Sequence, residues 1–449
     1  MSIPRPTGLA VAAIRSRPSA LAGTFAAFVL TGTVVTASVA MTVSASSVPP
    51  GADAASRAQL TELSDMGIAF ANMMAYLAIF VIGQVLALAV AQRARESALL
   101  RAIGAEPKQV RRMVAVEAIG SALAALPLGY ALGALLGRAW LHVMATSGMA
   151  PAGIPFRLGW QSPVTAASVL LVCAYLGSLL AAWRASRIRP AAALAASLVQ
   201  GGARTGPVRA TASLVALAGA VVMTVAAVVG PAEEAGELIP LVVLGYLAAI
   251  GLAGPWIGRC TIALCAPVLR AFGGAPGELA EAGTRARARR LSAAITPLTL
   301  VTAFGVIKLS SFTGTGEGAG DWAEIFGTLL YVGFAALVAA NTLVMLVLER
   351  LREFSLLRVI GAERRQIVWT VATEGAIVTV AGVGSGIVVG CAVMVPLGAM
   401  VGSPLSGVSA WAWPAVAVCG AVLVGLSSGV PLLRMLRVRP MDGLTRHSI

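Results

Sequence analysis

The stretch RARESALLRAIGAEPKQV at residues 93–110 recurs almost unchanged as RLREFSLLRVIGAERRQI at residues 350–367. The two copies lie 257 residues apart, and 11 of the 17 residues from 93 to 109 are identical in the second copy. The same offset pairs Glu117 with Glu374 and Gln84 with Asn341. A match of this length at one fixed offset indicates an internal duplication.

The composition places this duplication in a membrane protein. Of 449 residues, 58 % are hydrophobic and 12 % are charged, which is half the charged fraction of a soluble domain, about 25 %. An apolar stretch of about 20 residues is long enough to cross the bilayer core. Ten stretches qualify, near 20–44, 67–91, 113–137, 163–183, 211–230, 239–258, 291–312, 325–348, 368–395 and 412–433. The sequence therefore predicts an all-α polytopic membrane protein with ten transmembrane helices.

The first stretch has an alternative interpretation as a signal peptide, because Arg5, Arg15 and Arg17 precede it. Its apolar run is longer than the roughly 7–15 residues that such a peptide has. We therefore count it as a span.

The basic residues predict the orientation. The net charge is +14, from 33 Lys and Arg against 19 Asp and Glu. With the N-terminus inside, 29 of the 33 cations fall in the inner segments, and most acids outside the spans fall in the outer loops. Since inner loops are enriched in Lys and Arg, both termini are expected in the cytoplasm and no nucleic-acid partner is expected. Only Lys108 and Lys308 are lysines, a bias that indicates a GC-rich bacterial genome and hence a bacterial cytoplasmic membrane.

A second sequence match marks the end of each repeat. Arg184, Arg187, Arg189 and Pro190 recur 250 residues later as Arg434, Arg437, Arg439 and Pro440. Each repeat then holds four spans, and two further spans between about 211 and 258 belong to neither copy. Because these are two in number, both repeats keep the same orientation. The predicted domains are a first four-helix unit at 1–200, a two-helix linker at 201–275 and a second four-helix unit at 276–449.

The duplicated segment is predicted to be a helical hairpin on the inner face. In the first copy a short amphipathic helix ends at Gly104, where a glycine cap is favoured, and Pro107 starts the next helix. In the second copy Gly361 repeats the cap and Arg364 replaces the proline. A charged loop, or a helix lying on anionic lipid, would explain the arginines alone. It would not explain the recurrence of Glu96, Gly104, Glu106 and Gln109, so we interpret the hairpins as two copies of one partner-docking surface.

This motif, with the glutamate that follows it, resembles the FtsX-like permease family of ABC transporters, which includes MacB-, LolC- and BceB-type permeases. The resemblance covers roughly 67–195 and 325–445, and the four–two–four arrangement is most similar to the bacitracin-type permeases. It implies that the hairpins are coupling helices that dock on cytoplasmic ABC ATPase subunits, two per chain. The implied docking residues are Arg95, Glu96, Leu99, Leu100, Arg101 and Gly104, and Arg352, Glu353, Leu356, Leu357, Arg358 and Gly361. Glu117 and Glu374 are expected to support the hairpins.

The sequence departs from that family in its outer loops. MacB, LolC and bacitracin-type permeases carry a large extracytoplasmic domain, whereas the corresponding loops here, about 45–66 and 313–324, are too short to fold alone. No large extracytoplasmic domain is therefore expected.

Candidate chemistry within the chain is sparse. Neither lysine follows a Walker A pattern, and no Cys/His spacing is typical of a metal site. We expect no enzyme activity, no bound cofactor and no metal, with ATP and Mg handled by the partner ATPase. Among polar residues in the spans, Lys308 and Arg138 are interpreted as snorkelling, and Gln84 and Asn341 as bonding between helices. Glycines in the segment 381–390 are interpreted as helix packing, and the substrate-binding residues stay unknown.

Two functions from different classes follow. The first is a permease subunit that exports or extracts an amphipathic or hydrophobic substrate, such as a peptide, antibiotic or lipid, with membrane lipids around it. The alternative is a non-transporting signalling or scaffold protein driven by an ABC ATPase, against which the short outer loops argue. An ion-driven carrier is disfavoured because the spans lack acids that could relay protons.

Overall fold

The computed structural model describes residues 18–47, 53–92, 106–146, 148, 150–151, 153–186, 207–230, 232–311, 320–348, 351–400 and 412–436. These residues form helices joined by short turns, with no strand among them. The helices are α1 Pro18–Ala45, α2 Ala54–Gln92, α3 Pro107–Thr146, α4 Gln161–Ser186, α5 Pro207–Val229, α6 Ala232–Ser311, α7 Gly320–Leu348, α8 Leu351–Val359, α9 Arg364–Met400 and α10 Ala412–Leu436. The expected all-α class is confirmed for this part of the chain.

Seven of these helices contain a segment long and apolar enough to cross a membrane. The segments are Gly23–Ala45, Arg111–Thr146, Gln161–Leu179, Ala210–Val229, Tyr331–Leu348, Arg364–Pro396 and Trp413–Leu433. A bent pair, Leu241–Gly254 and Trp256–Cys265, makes eight if it is one span. The predicted span at 67–91 lies in α2, and that at 291–312 lies in α6, where Ala294–Ile307 is a shorter apolar segment. A multi-pass membrane protein is thus supported, while the number ten stays a prediction.

Helix α6 differs from what the sequence led us to expect. It runs for 80 residues through the segment between two predicted spans that we had assigned to an inner loop. Its apolar part bends by 67° between Gly254 and Trp256. Pro255 lies at this bend, and proline lacks the backbone N–H that a continuous helix needs at such a position. The boundary predicted between residues 275 and 276 therefore falls inside a helix.

The chain divides into two compact units. The first comprises Met1–Gln200 with Thr315–Tyr331, and the second comprises Gly201–Gly314 with Val332–Ile449. Helices α5 and α6 belong to the second unit, and α7 is divided between the two. The three-part division into repeat, linker and repeat stays a prediction.

The core of the first unit is built where α1, α2, α3 and α4 converge. Its buried members include Phe28 from α1, Ile82 from α2, Ala122 from α3 and Leu170 from α4. Alanines fill much of the rest of this cluster, which lets the helix backbones approach closely, as is common where helices pack within lipid.

The core of the second unit brings together the equivalent helices of the second copy. Leu298 of α6, Leu343 of α7, Val378 of α9 and Val424 of α10 form one buried cluster. Leu343 lies 257 residues after Leu86, which is buried in the first core, and Val424 lies 250 residues after Ala174. Both offsets of the sequence repeat therefore recur inside the cores.

A stripe of glycines brings α3 against α1 in the first unit. A Cβ built on Gly133 would lie 2.5 Å from the Thr36 Cβ and 2.6 Å from the Thr33 carbonyl oxygen. Gly129 and Gly137, one turn to either side, meet the α1 backbone in the same way. Only glycine permits this approach.

The second unit repeats this stripe between α9 and α6. A Cβ on Gly382 would lie 2.6 Å from Leu298, and one on Gly390 would lie 2.5 Å from Val306. The central Gly386 meets Thr302 and the Thr299 carbonyl. Thr302 Oγ also donates to the Gly382 carbonyl over 3.2 Å. The expectation that these glycines serve packing agrees with this geometry.

The two stripes reveal a similarity that the sequence match left weak. The α3 and α9 glycines are 253 residues apart, and the threonine pair Thr33 and Thr36 precedes Thr299 and Thr302 by 266. In both units a pair of threonines on the first predicted span of the repeat thus faces a glycine stripe, while the four-span layout of the repeat stays a prediction.

At the end of the first unit that the sequence predicts to be outside, α2 begins earlier than the sequence led us to expect. We had treated 45–66 as a loop, but α2 starts at Ala54, capped by Asp53, whose Oδ1 accepts a 3.2 Å hydrogen bond from the Ser56 backbone. Polar residues of this segment alternate with Leu60 and Leu63, which are buried. The helix therefore continues because its apolar stripe still has a surface to cover.

Candidate functional site

The second hairpin is a short helix closed by a defined backbone cap. After α8, Gly361 adopts φ of +100°, a conformation that side chains other than glycine rarely take. The Ala362 N–H donates to the Leu357 carbonyl over 2.9 Å, and the Gly361 N–H donates to the Arg358 carbonyl over 3.3 Å. These two bonds make a Schellman cap. The predicted glycine cap is thus confirmed for this copy.

The start of the next helix is capped in both copies by the same pair of residues. Gln366 Oε1 accepts a 3.0 Å hydrogen bond from the Glu363 backbone N–H at the start of α9. In the first copy Gln109 Oε1 accepts one of 3.1 Å from the Glu106 N–H at the start of α3. This is one half of a capping box, which satisfies a helix-end donor.

This cap changes the interpretation of the repeat. We had taken the recurrence of Glu106 and Gln109 as part of a docking surface, but their described contacts explain it as helix capping. The spacing of three residues before an apolar run was the available signal, and the sequence analysis missed it. Capping does not explain the charged residues that recur before the glycine, nor the recurring leucines and isoleucine, which are the apolar part of the motif.

One aromatic side chain anchors α8 to the helices behind it. Phe354 is 1 % exposed and packs in a cluster with Ile367 and Val371 of α9 and Leu432 of α10. Ala362 of the corner packs against the same cluster. Phe354 is not among the predicted docking residues, and Ser97 stands at the equivalent position in the first copy. The hairpin is therefore joined to two long helices through buried apolar contacts.

The opposite face of the hairpin is apolar and exposed. Leu356 is 54 % exposed, Leu357 40 % and Ile360 79 %. Glu363, Arg364 and Arg365 are exposed beside them. An apolar centre with a charged margin is the usual composition of a protein-docking surface. We call Leu356, Leu357 and Ile360 the hairpin tip.

Not all of the predicted docking residues can be placed. Arg358 is half-buried, and Arg352 and Glu353 lie in α8 with side chains outside the described set. The first-copy residues Arg95, Glu96, Leu99, Leu100, Arg101 and Gly104 lie outside the described residues. Docking by either set stays a prediction.

The two glutamates after the hairpins occupy equivalent buried positions. Glu117 is 9 % exposed and Glu374 is 7 % exposed. Glu374 follows Val371 of the anchor cluster by three residues and precedes Val378 of the unit's core by four. It thus lies on the helical stripe that connects the hairpin to the core. Their role in supporting the hairpin stays a prediction.

Metal-binding groups do not assemble in the part of the chain that the structure covers. No three His, Cys, Asp or Glu side chains lie close enough there to hold an ion. The five cysteines are free thiols, from the buried Cys173 to the exposed Cys419.

The comparisons with known proteins agree with the duplicated architecture. The FtsX-like permease C-terminal family matches residues 68–190 and again 325–440, which together are more than half of the 449 residues. Each matched range contains one complete hairpin and the glutamate after it. No curated protein matches the chain. The resemblance seen in the sequence is confirmed, and the chain belongs to the FtsX-like permease family, with two FtsX-like units in one polypeptide.

Proposed function

We propose that this chain is the transmembrane subunit of an ABC transporter and that one polypeptide supplies both permease halves. Family membership supports an ABC transporter-type permease. The ATPase subunits are separate proteins in this proposal, one docked on each hairpin, and they bind the ATP and Mg. The cargo is amphipathic or hydrophobic, and it is exported or extracted from the outer leaflet of a bacterial cytoplasmic membrane.

The observation that carries the proposal is the hairpin tip. Leu356, Leu357 and Ile360 expose apolar surface on a corner that two backbone hydrogen bonds hold in one conformation. A surface of this kind favours a partner because little ordering entropy is lost when it binds. Its sequence recurs in the first copy as Leu99, Leu100 and Ile103, so two equivalent partners are expected.

The packing behind the tip provides a route for movement. A displacement of α8 reaches α9 and α10 through the Phe354 cluster. Helix α9 is in turn held to α6 by the glycine stripe and by the hydrogen bond from Thr302 to Gly382. Tightly packed helices move as units rather than deform. Closure of the ATPases on ATP would therefore tilt each four-helix unit as a body.

Co-purification tests the docking surface. The full chain, tagged in its native host, should retain an ABC ATPase, identified by its Walker A sequence. Ile103→Asp with Ile360→Asp should abolish this retention, because a carboxylate at the centre of an apolar interface is left desolvated. Thr61→Asp adds the same charge at an exposed position at the outer end of α2 and should change nothing. Retention of the ATPase by the double variant would overturn the docking assignment.

Transport distinguishes the permease from the signalling alternative. The purified complex in vesicles should move a fluorescent phospholipid analogue or a labelled amphipathic peptide between leaflets when ATP is added. ATP hydrolysis without movement of either probe would favour the signalling protein instead.

A further inference from the structure

Two basic side chains lie on the outward surface of α3 near its outer end. Arg138 and His142 are four residues apart and both are exposed, so they lie one above the other on one helical stripe. Leu135, which is 67 % exposed, continues the stripe toward the membrane centre, followed by Leu132 and Leu128. The exposed leucines of α3 are thus followed, toward its outer end, by the two basic side chains.

The length of α3 places this transition at the outer membrane surface. Arg112 marks the inner end, and Arg138 follows it by 26 residues, which is about 39 Å of helix. The hydrocarbon core is about 30 Å thick, and the headgroup regions extend the bilayer to about 40–45 Å. Arg138 therefore lies at the depth of the outer headgroups, with Leu135 at the edge of the hydrocarbon.

The connection between α3 and α4 adds to this surface and carries no acid. Phe156 lies 3.2 Å from the Cβ position of Gly137, so the connection packs beside Arg138. Arg157 is exposed, and its backbone N–H donates to Ser44 Oγ over 3.0 Å. No Asp or Glu occurs between Glu117 and Glu233. The outer rim of this helix pair is basic throughout, on the side of the membrane where cations are usually few.

The second unit provides an internal comparison. Gly390 of α9 takes the place of Gly137 of α3 in the glycine stripe, four residues before the position that the 257-residue offset gives. At the positions of Arg138 and His142 the second unit has Cys391 and Val395, and Val388, 65 % exposed, stands at the position of Leu135. Helix packing and orientation are thus achieved there without cations. The basic rim of the first unit therefore calls for a separate explanation.

We propose that Arg138 and His142 bind the phosphate of an anionic phospholipid in the outer leaflet, while an acyl chain lies along Leu135, Leu132 and Leu128. The arginine forms charge-assisted hydrogen bonds to phosphate oxygens. A lipid of net negative charge is favoured over a zwitterionic one because α3 beyond Glu117 and its connection to α4 carry no carboxylate to attract a choline or ethanolamine group. Free phosphate shares the anionic group but gains nothing from the leucine surface.

Photo-crosslinking tests this at the site itself. The full chain carries p-benzoylphenylalanine in place of either Leu135 or Val388, in vesicles of phosphatidylglycerol and phosphatidylcholine in equal amounts. Mass spectrometry then gives the ratio of the two lipid adducts at each position. One arginine near an anionic lipid changes binding about fivefold. We expect phosphatidylglycerol to be enriched at 135 relative to 388 by about that factor.

Variants of Arg138 and competition by inorganic phosphate test what causes the enrichment of phosphatidylglycerol at 135. Arg138→Gln should lower the ratio at 135 to the value at 388, and Arg138→Lys should restore most of it. Arg57→Gln, which removes an outer cation from α2, should leave it unchanged. Equal ratios at 135 and 388, or equal effects of the Arg138 and Arg57 variants, would overturn the proposal. Loss of the enrichment in excess inorganic phosphate would show a site for free phosphate and would overturn the lipid assignment.

Discussion

Replacing Phe354 by Ala should release α8 from the second unit while the unit stays folded. The ring is 1 % exposed and, among the α8 side chains that the structure describes, it alone belongs to a cluster whose other members lie in the corner, α9 and α10. Removal of a buried Phe ring costs about 3–5 kcal/mol. Because this cluster is small and separate from the main core of the unit, we expect the low end, about 3 kcal/mol. The loss falls on α8 alone, since α9 and α10 keep their other contacts.

Hydrogen exchange measured by mass spectrometry provides the assay. A nine-residue helix is too short to be stable alone in water, so the amides of Leu351–Val359 should lose most of their protection. A loss of about 3 kcal/mol corresponds to exchange at least 100-fold faster. Peptides from the centre of α9 should exchange at the wild-type rate.

Leu356→Ala is the matched control, because this side chain lies on the same helix but is 54 % exposed. Its truncation should change exchange very little while weakening ATPase retention, whereas Phe354→Ala should affect both. Unchanged protection of α8 in Phe354→Ala would refute the anchor. Equal deprotection of α8 and the centre of α9 would show instead that the cluster stabilises the whole unit.

Three further outcomes are expected. Gly361→Ala places a Cβ at φ of +100° and should destabilise the corner by about 1–2 kcal/mol, seen as faster exchange at the end of α8 alone. Gly386→Ala should lower the thermal stability of the detergent-purified chain through overpacking against Thr302, by about 1–3 kcal/mol, whereas Gly384→Ala meets no atom within 4 Å and should be neutral. Hydrogen bonds from Ser56 lower the pKa of the Asp53 carboxyl from its ordinary value. The cap therefore stabilises the start of α2 at a pH above the ordinary pKa of an aspartate, and its contribution is lost as the pH falls through the lowered pKa. Exchange at the start of α2, corrected for the intrinsic rate, should rise over that range in the wild type and be independent of pH in Asp53→Ala.

The hairpin shows what the sequence could predict. Glycine at the end of an amphipathic segment has one common structural meaning, so the cap at Gly361 followed from local chemistry. Local chemistry could not predict that Phe354 is buried while Leu356 and Leu357 are exposed. Phe354 and Leu356 are both apolar and two residues apart, and only the positions of α9 and α10 decide which of them is buried.

Helix α6 shows the opposite limit. Hydropathy located two apolar segments in this region, and α6 contains both of them, the bent pair Leu241–Gly254 and Trp256–Cys265 and the shorter Ala294–Ile307. Such segments can be found from composition alone. Hydropathy could not show that the basic segment between them continues the helix, because helix propensity is a weak indicator that tertiary context often overrides. The similarity of α1 to the end of α6 was also beyond sequence matching. It consists of two threonines facing glycines on another helix, and that pairing is visible only in the packed structure.

The capped corner has a consequence for how such permeases diversify. Its shape is held by backbone hydrogen bonds, one glycine and one glutamine, and none of these contacts uses a side chain of the hairpin tip. The tip residues are thus free to mutate without a cost in folding. If each hairpin docks an ATPase as proposed, each can acquire its own partner preference one substitution at a time, so an ancestor served by two identical ATPases can evolve into a complex served by two different ones.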